Sequence, residues 1–150
     1  MVETVLLVED NPDDELLALR ALKKAQADLH VVVARNGEEA IDYIFARGKF
    51  VDRDRSQLPK VIFLDIKLPK LDGLQVLERI RQNAASSIVP VVLLTSSDEE
   101  RDMIRGYQLG ANSYINKPVS YDEFISQVAL LKDYWLKENK TPRLAGQAAL

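Results

Sequence analysis

A doubly wound α/β domain in three layers, five parallel strands with five helices over both faces, is the fold this 150-residue sequence predicts. Three observations carry that prediction. Short runs of consecutive apolar residues recur without polar alternation, as in strands covered on both faces. Between them lie stretches with apolar residues at helical spacing, most of them opened by an Asn or Ser capping signal. Runs and stretches alternate one for one, which implies βαβ units and a parallel sheet.

Thr4-Val5-Leu6-Leu7-Val8 is the first apolar run and ends in Glu9-Asp10. Asn11 suits an N-cap, Pro12 the first helical position, and Asp13 and Asp14 the positive end of the dipole. The helix runs through Leu16, Leu19, Leu22 and Lys23 toward Gln26. His30-Val31-Val32-Val33-Ala34 is the second strand. Asn36-Gly37-Glu38-Glu39 has the form of a capping box, with Ala40, Ile41, Ile44 and Phe45 inward and a stop near Gly48. Lys49 to Pro59 is polar enough for a surface loop.

Val61-Ile62-Phe63-Leu64 is the third strand, and Asp65 closes it. A helix follows from about Gly73 to Asn83, with Leu74, Leu77, Ile80 and Arg81 at helical spacing. The fourth strand covers Val89 to Thr95, where Pro90 is tolerated near the start. Ser97-Asp98-Glu99-Glu100 predicts a capped helix that ends at Gly110. Asn112 to Asn116 is a short fifth strand. Ser120 to Glu123 opens the last helix, with Phe124, Val128, Leu131 and Trp135 on one stripe. Periodicity fades beyond Asn139, so the end of the chain reads as a loose tail.

Composition narrows the function classes. A net charge of −3 gives no basic footprint for nucleic acid. The absence of cysteine excludes disulfides, thiolate metal sites and cysteine nucleophiles, and the single histidine, His30, excludes a poly-histidine metal centre. No apolar run reaches membrane length and no leader-like segment precedes the first strand. A soluble, cytoplasmic, single-domain protein without nucleic-acid or membrane partners is the expectation.

Open α/β sheets place their sites at the carboxyl ends of the strands. There the first strand delivers Glu9 and Asp10, the third Asp65, the fourth Thr95, and the fifth leads into Lys117-Pro118. Each residue alone has an ordinary explanation as a cap, a turn or a solvated charge. Their coincidence on one edge does not. Two carboxylates about 5 Å apart repel by roughly 3 kcal/mol at an effective dielectric of 20, so three require a compensating cation. Magnesium suits oxygen ligands and phosphate together. Thr95 and Lys117 then serve as donors to an anion beside the metal. A carboxylate facing a phosphoryl group can form an acyl phosphate, which points to phosphoryl transfer onto Asp65.

These residues closely resemble the receiver domain of two-component response regulators. The resemblance rests on the acidic pair Glu9-Asp10, on Leu64-Asp65 with Leu68-Pro69 and Asp72-Gly73, on Leu94-Thr95-Ser96, and on Tyr114-Ile115-Asn116-Lys117-Pro118. It implies a flavodoxin-like sheet of order 2-1-3-4-5, with the receiver domain over residues 4–137 and a tail at 138–150. It also implies that Asp65 is the phosphoacceptor and that Glu9, Asp10, Asp65 and the Lys67 backbone carbonyl bind Mg2+. Thr95 and Lys117 would bind phosphoryl oxygens, and Tyr114 would be the aromatic switch. The Lys117-Pro118 bond is expected to be cis. Lys67 and Ser97 occupy positions that modulate acyl-phosphate lifetime, and Glu9 stands where the family more often has Asp.

The resemblance implies a sensor histidine kinase as phosphoryl donor and no turnover enzymology beyond the protein's own phosphorylation and dephosphorylation. Few residues follow the domain, so a downstream protein partner is the expected output. The 49–59 loop and Tyr134-Trp135-Leu136 resemble a narrower group that partners bacterial phytochrome kinases, in which the end of the last helix could support a homodimer. Two other functions fit poorly. A haloacid-dehalogenase-type phosphatase requires a second Asp where Lys67 stands. A flavin-binding flavodoxin-like module requires a Ser/Thr/Gly-rich phosphate loop where Glu9-Asp10-Asn11-Pro12-Asp13 is acidic.

Overall fold

The computed structural model describes residues 3–24 and 29–142. Five strands, β1 (Thr4–Val8), β2 (His30–Ala34), β3 (Val61–Leu64), β4 (Val91–Thr95) and β5 (Ser113–Asn116), form one sheet in the order β2-β1-β3-β4-β5. All four pairings are parallel, with Val8 beside Ala34 and Leu64, and Thr95 beside Asn116. The flavodoxin-like fold expected from the sequence is the one observed. The helices are α1 (Pro12–Lys23), α2 (Gly37–Ile44), α3 (Gly73–Gln82), α4 (Glu100–Gln108) and α5 (Tyr121–Asp133).

The unbroken apolar runs feed two cores, because successive side chains leave a strand on opposite faces. Leu6, Val8, Ile62, Leu64, Val91 and Leu93 meet Ala40, Ile41, Ile44, Val76, Leu77 and Ile80 on the α2/α3 side. Val5, Leu7, Val61, Phe63, Val92 and Leu94 meet Ala18, Leu22, Phe124, Val128, Trp135 and Leu136 on the α1/α5 side. Trp135 is therefore a core residue. It lies in a π-helical turn, Tyr134–Glu138, that continues α5.

Local chemistry explains most helix starts. Asn11 accepts from the amides of Asp13 and Asp14, and Pro12 occupies the first turn, as expected. Leu16 faces solvent, and Ala18, Ala21 and Leu22 carry the buried stripe of α1 instead. Gln26, toward which that helix was expected to run, lies outside the described residues. Asn36 caps α2 through the Glu39 amide, but only half of the expected box forms, since Glu39 pairs with Lys49.

Asp72 and Gln75 form a full reciprocal box at the start of α3. The expected box at Ser97 does not form. Helix α4 starts three residues later, with Glu99 at its N-cap and no side-chain cap. The Lys117–Pro118 bond was expected to be cis, but no cis peptide bond occurs among the described residues. Trans is the ordinary preference of an X–Pro bond.

The loop after α2 is fastened rather than free. The Arg53 guanidinium donates to the carbonyls of Tyr43, Ile44, Asp54 and Gln57 at 2.6 to 3.0 Å and stacks on the Tyr43 ring at 4.3 Å.

Candidate functional site

The sheet order sets β1, β3 and β4 side by side, so their carboxyl ends form one edge. The backbone carries each strand end in register: the Asp65 amide donates to Val8 O at 3.1 Å, and the Lys117 amide to Thr95 O at 2.7 Å. Glycine fixes the loop after β3. A Cβ on Gly73 would overlap the Asp65 carbonyl, and one on Gly37 would overlap the Leu71 carbonyl, so both helices begin hard against this loop. Lys70 and Leu71 reach that contact in the left-handed region, at φ 52° and 94°.

Glu9, Asp10 and Asp65 come together as expected, one carboxylate oxygen from each lying within 4.8 Å of the others. Glu9 and Asp65 are buried and Asp10 is exposed. The Lys117 ammonium donates to Glu9 Oε1 at 2.6 Å, Asp14 Oδ2 at 2.9 Å and Asp65 Oδ2 at 3.1 Å. The other Glu9 oxygen, Oε2, accepts from the Asn11 amide at 3.1 Å. Asp14 was not singled out from the sequence. An acid in the first turn of a helix already has a sufficient explanation in the dipole, and only the fold brings it to Lys117.

Burial pushes the Glu9 carboxyl up to about 7, and the neighbouring Asp65 charge adds to this, although the Lys117 contact opposes it. Burial also disfavours charge on Lys117, but Asp65, Glu9 and Asp14 outweigh it and hold the ammonium well above its ordinary range. Three carboxylates thus contact one ammonium and a fourth, Asp10, stands beside two of them, so the cluster holds more negative charge than Lys117 balances. The all-oxygen donor set and the excess of negative charge fit a hard divalent cation.

Thr95 is fully buried at the end of β4, and its Oγ1 accepts from the Ser97 amide at 3.2 Å. The Tyr114 hydroxyl donates to Ser97 O at 2.8 Å, and Asn116 Nδ2 donates to the same carbonyl at 3.0 Å. Burial and the nearby Asp102, Asp98 and Asp65 charges raise the Tyr114 pKa, so its hydroxyl stays a donor. The Lys67 amide approaches Asp65 Oδ1 at 3.4 Å. His30 stands at the far end of the sheet beside Thr4, at 3.2 Å. Among the described residues no helix is long and apolar enough to cross a membrane.

A buried strand-end carboxylate within an acidic cluster and against a buried ammonium, with a hydroxyl on the adjacent strand, is the arrangement of a phosphoacceptor signalling domain. The chain belongs to the response regulator receiver domain family, which residues 5–129 match. It is thus a phosphoacceptor protein of two-component signalling, a family of signalling proteins rather than catalysts.

Among its relatives is the probable methanogenesis regulatory protein FilR2 of Methanothrix harundinacea, 35% identical over 92% of this chain and 86% of that protein. The response regulator Rcp1 of Synechocystis is 34% identical over 93% of each chain. The Mn(2+)-bound structure of Rcp1 superposes with a TM-score of 0.86, over 93% of this chain and 99% of that one. The phosphorylated cyanobacterial phytochrome response regulator RcpA reaches a TM-score of 0.89 at 32% identity, over 95% of this chain and 99% of that one. Receiver domains hold a divalent metal, and the Rcp1 structure contains one.

Proposed function

We propose that Asp65 is the residue that accepts the phosphoryl group, delivered from a phosphohistidine of a sensor histidine kinase. A carboxylate oxygen of Asp65 attacks phosphorus, the P–N bond breaks, and the electron pair returns to the imidazole ring, which takes up a proton. The observation that carries this reading is the Lys117 ammonium 3.1 Å from Asp65 Oδ2, at a strand end ringed by carboxylates.

Glu9, Asp10 and Asp65, with the Lys67 backbone carbonyl, are the residues that would hold Mg2+, which offsets the charge of the incoming phosphoryl group when bound. Lys117 and the Thr95 hydroxyl then donate to the phosphoryl oxygens. The modification adds about −1.5 to −2 charges. Thr95 turning toward them releases the Ser97 amide, and Tyr114, bonded to Ser97 O, moves inward with the loop as the aromatic switch. Phosphorylation biases a two-state equilibrium already present in the protein.

The only chemistry catalysed is the protein's own phosphorylation and dephosphorylation. The receiver unit spans residues 4–137. Likeness to RcpA supports a phytochrome as the kinase, and that pairing is the support for a cytoplasmic location. Output passes to a downstream protein partner. The half-exposed Tyr134, edge-on to the buried Trp135, and the more exposed Leu130 are free to join a homodimer contact at the end of the last helix.

Intact-mass measurement after incubation with a phosphorylated phytochrome kinase, and separately with phosphoramidate, tests the assignment. Wild type gains one phosphoryl group and Asp65→Asn gains none. Stoichiometric labelling of Asp65→Asn would sink it. Uptake from phosphoramidate without uptake from the phytochrome kinase would remove the phytochrome partner alone.

A further inference from the structure

A second acid on α4 reaches toward the site from the opposite side. Asp102 Oδ2 accepts from Ser97 Oγ at 2.6 Å and lies 3.7 Å from Lys67 Nζ. Its side chain is 13% exposed, whereas Lys67 is 60% exposed. Ser97 is buried, and its Oγ also receives the amide of Glu99, the N-cap of α4, at 3.4 Å. One carboxylate therefore ties the first turn of α4 to both loops that flank Asp65.

Both ties run back to the reacting position by named bonds. The Lys67 amide faces Asp65 Oδ1 while its ammonium faces Asp102. The Ser97 amide faces Thr95 Oγ1 while its hydroxyl faces Asp102. A phosphoryl dianion on Asp65 competes with Asp102 for the Lys67 ammonium, and the same group draws Thr95 off the Ser97 amide. The two effects converge on one side chain, and that side chain stands in the first turn of α4.

We propose that Asp102 is a positioning residue that latches α4 onto the unphosphorylated site, and that loss of its two ties is how phosphorylation releases the start of α4. The inference rests on Asp65 as phosphoacceptor. It assigns the α4 end of the signal to a residue outside the Asp65, Thr95, Lys117 and Tyr114 set.

Hydrogen–deuterium exchange over residues 98–104, with intact mass read on the same samples, tests it. Asp102→Ala, which cuts both ties, should exchange about tenfold faster than wild type before phosphorylation, the factor one charge-assisted hydrogen bond supports. Phosphoramidate should accelerate wild type in this segment and leave Asp102→Ala unchanged. Asp102→Asn keeps an acceptor for Ser97 and loses the charge facing Lys67, whereas Ser97→Ala loses the serine tie and keeps the lysine one, so both should fall between wild type and Asp102→Ala.

Phosphorylation of Asp102→Ala should also be several-fold faster than that of wild type, a gain that simple fraying of a helix end would not produce. Glu78→Gln, which loses only the exposed partner of Arg105 on α4, should match wild type throughout. Exchange at wild-type rate in both Asp102→Ala and Ser97→Ala, or a full phosphoryl response in both, overturns the latch. Absence of a mass gain in wild type refutes the phosphoacceptor instead, and the exchange rates before phosphorylation then decide whether the tie exists.

Discussion

Glu9 sits in the least water-like surroundings of any acid at the site, and its titration has a sign that can be measured. Its folded pKa, about 7, lies above the ordinary 4.5. A carboxyl raised in this way favours the folded state fully below about pH 4.5, and that contribution is lost as pH rises to about 7. Without divalent cations, stability from chemical denaturation should fall across that window by something on the order of 3 kcal/mol. Glu9→Gln should flatten this part of the profile. Adding magnesium at pH 7 should recover stability in wild type, because the ion binds only the folded cluster. Glu9, Asp10, Asp65, Thr95 and Lys117 were all legible in the sequence because each ends or follows an apolar run. Asp14 and Asp102 were not, since each stands in the first turn of a helix, where an acid needs no further reason.

Helix α3 positions the site through the absence of a side chain. Gly73 opens the helix, its amide donates to Ile66 O at 2.8 Å, and any Cβ there would overlap the Asp65 carbonyl and crowd Ile66 Cα. Both neighbours are backbone and cannot rotate away. Gly73→Ala should therefore destabilise the protein by about 1–3 kcal/mol and slow phosphoryl uptake, because relief of the overlap displaces Asp65 itself. Denaturation together with intact-mass kinetics checks both effects. The same element shows what the sequence signals could and could not give. Asp72-Gly73-Leu74-Gln75 holds a full capping box, whereas Ser97-Asp98-Glu99-Glu100 has the same form and caps nothing. Its serine is drawn instead to Asp102 and Thr95, partners that only folding supplies.

Across the whole molecule, the acidic site and the Arg81 network occupy opposite ends of the sheet. At the amino ends of β4 and β5, Arg81 is half-buried and, among the described residues, has no carboxylate partner. It donates to the carbonyls of Gly110, Ser87 and Val89 and to Asn112 Oδ1. Burial lowers its pKa from the usual arginine value. Arg81→Met strands those acceptors and should cost about 1–3 kcal/mol. Phosphoryl uptake by Asp65 should keep its wild-type rate, since the other end of the sheet is untouched; slowed uptake would contradict that separation. Helix α4 joins the two ends, and of all five helices it is the least embedded. Gly106 is its only buried residue, resting on Leu93 where a Cβ would come within 2.7 Å of Cδ1. A helix seated on a glycine uncovers little oil when it shifts. Heat-capacity change scales with apolar area exposed, so a displacement confined to α4 should carry a small one. An equilibrium of that kind keeps a nearly constant enthalpy difference, so a van't Hoff plot of the α4 shift should be straight, and marked curvature would show that more apolar surface moves than α4 alone supplies.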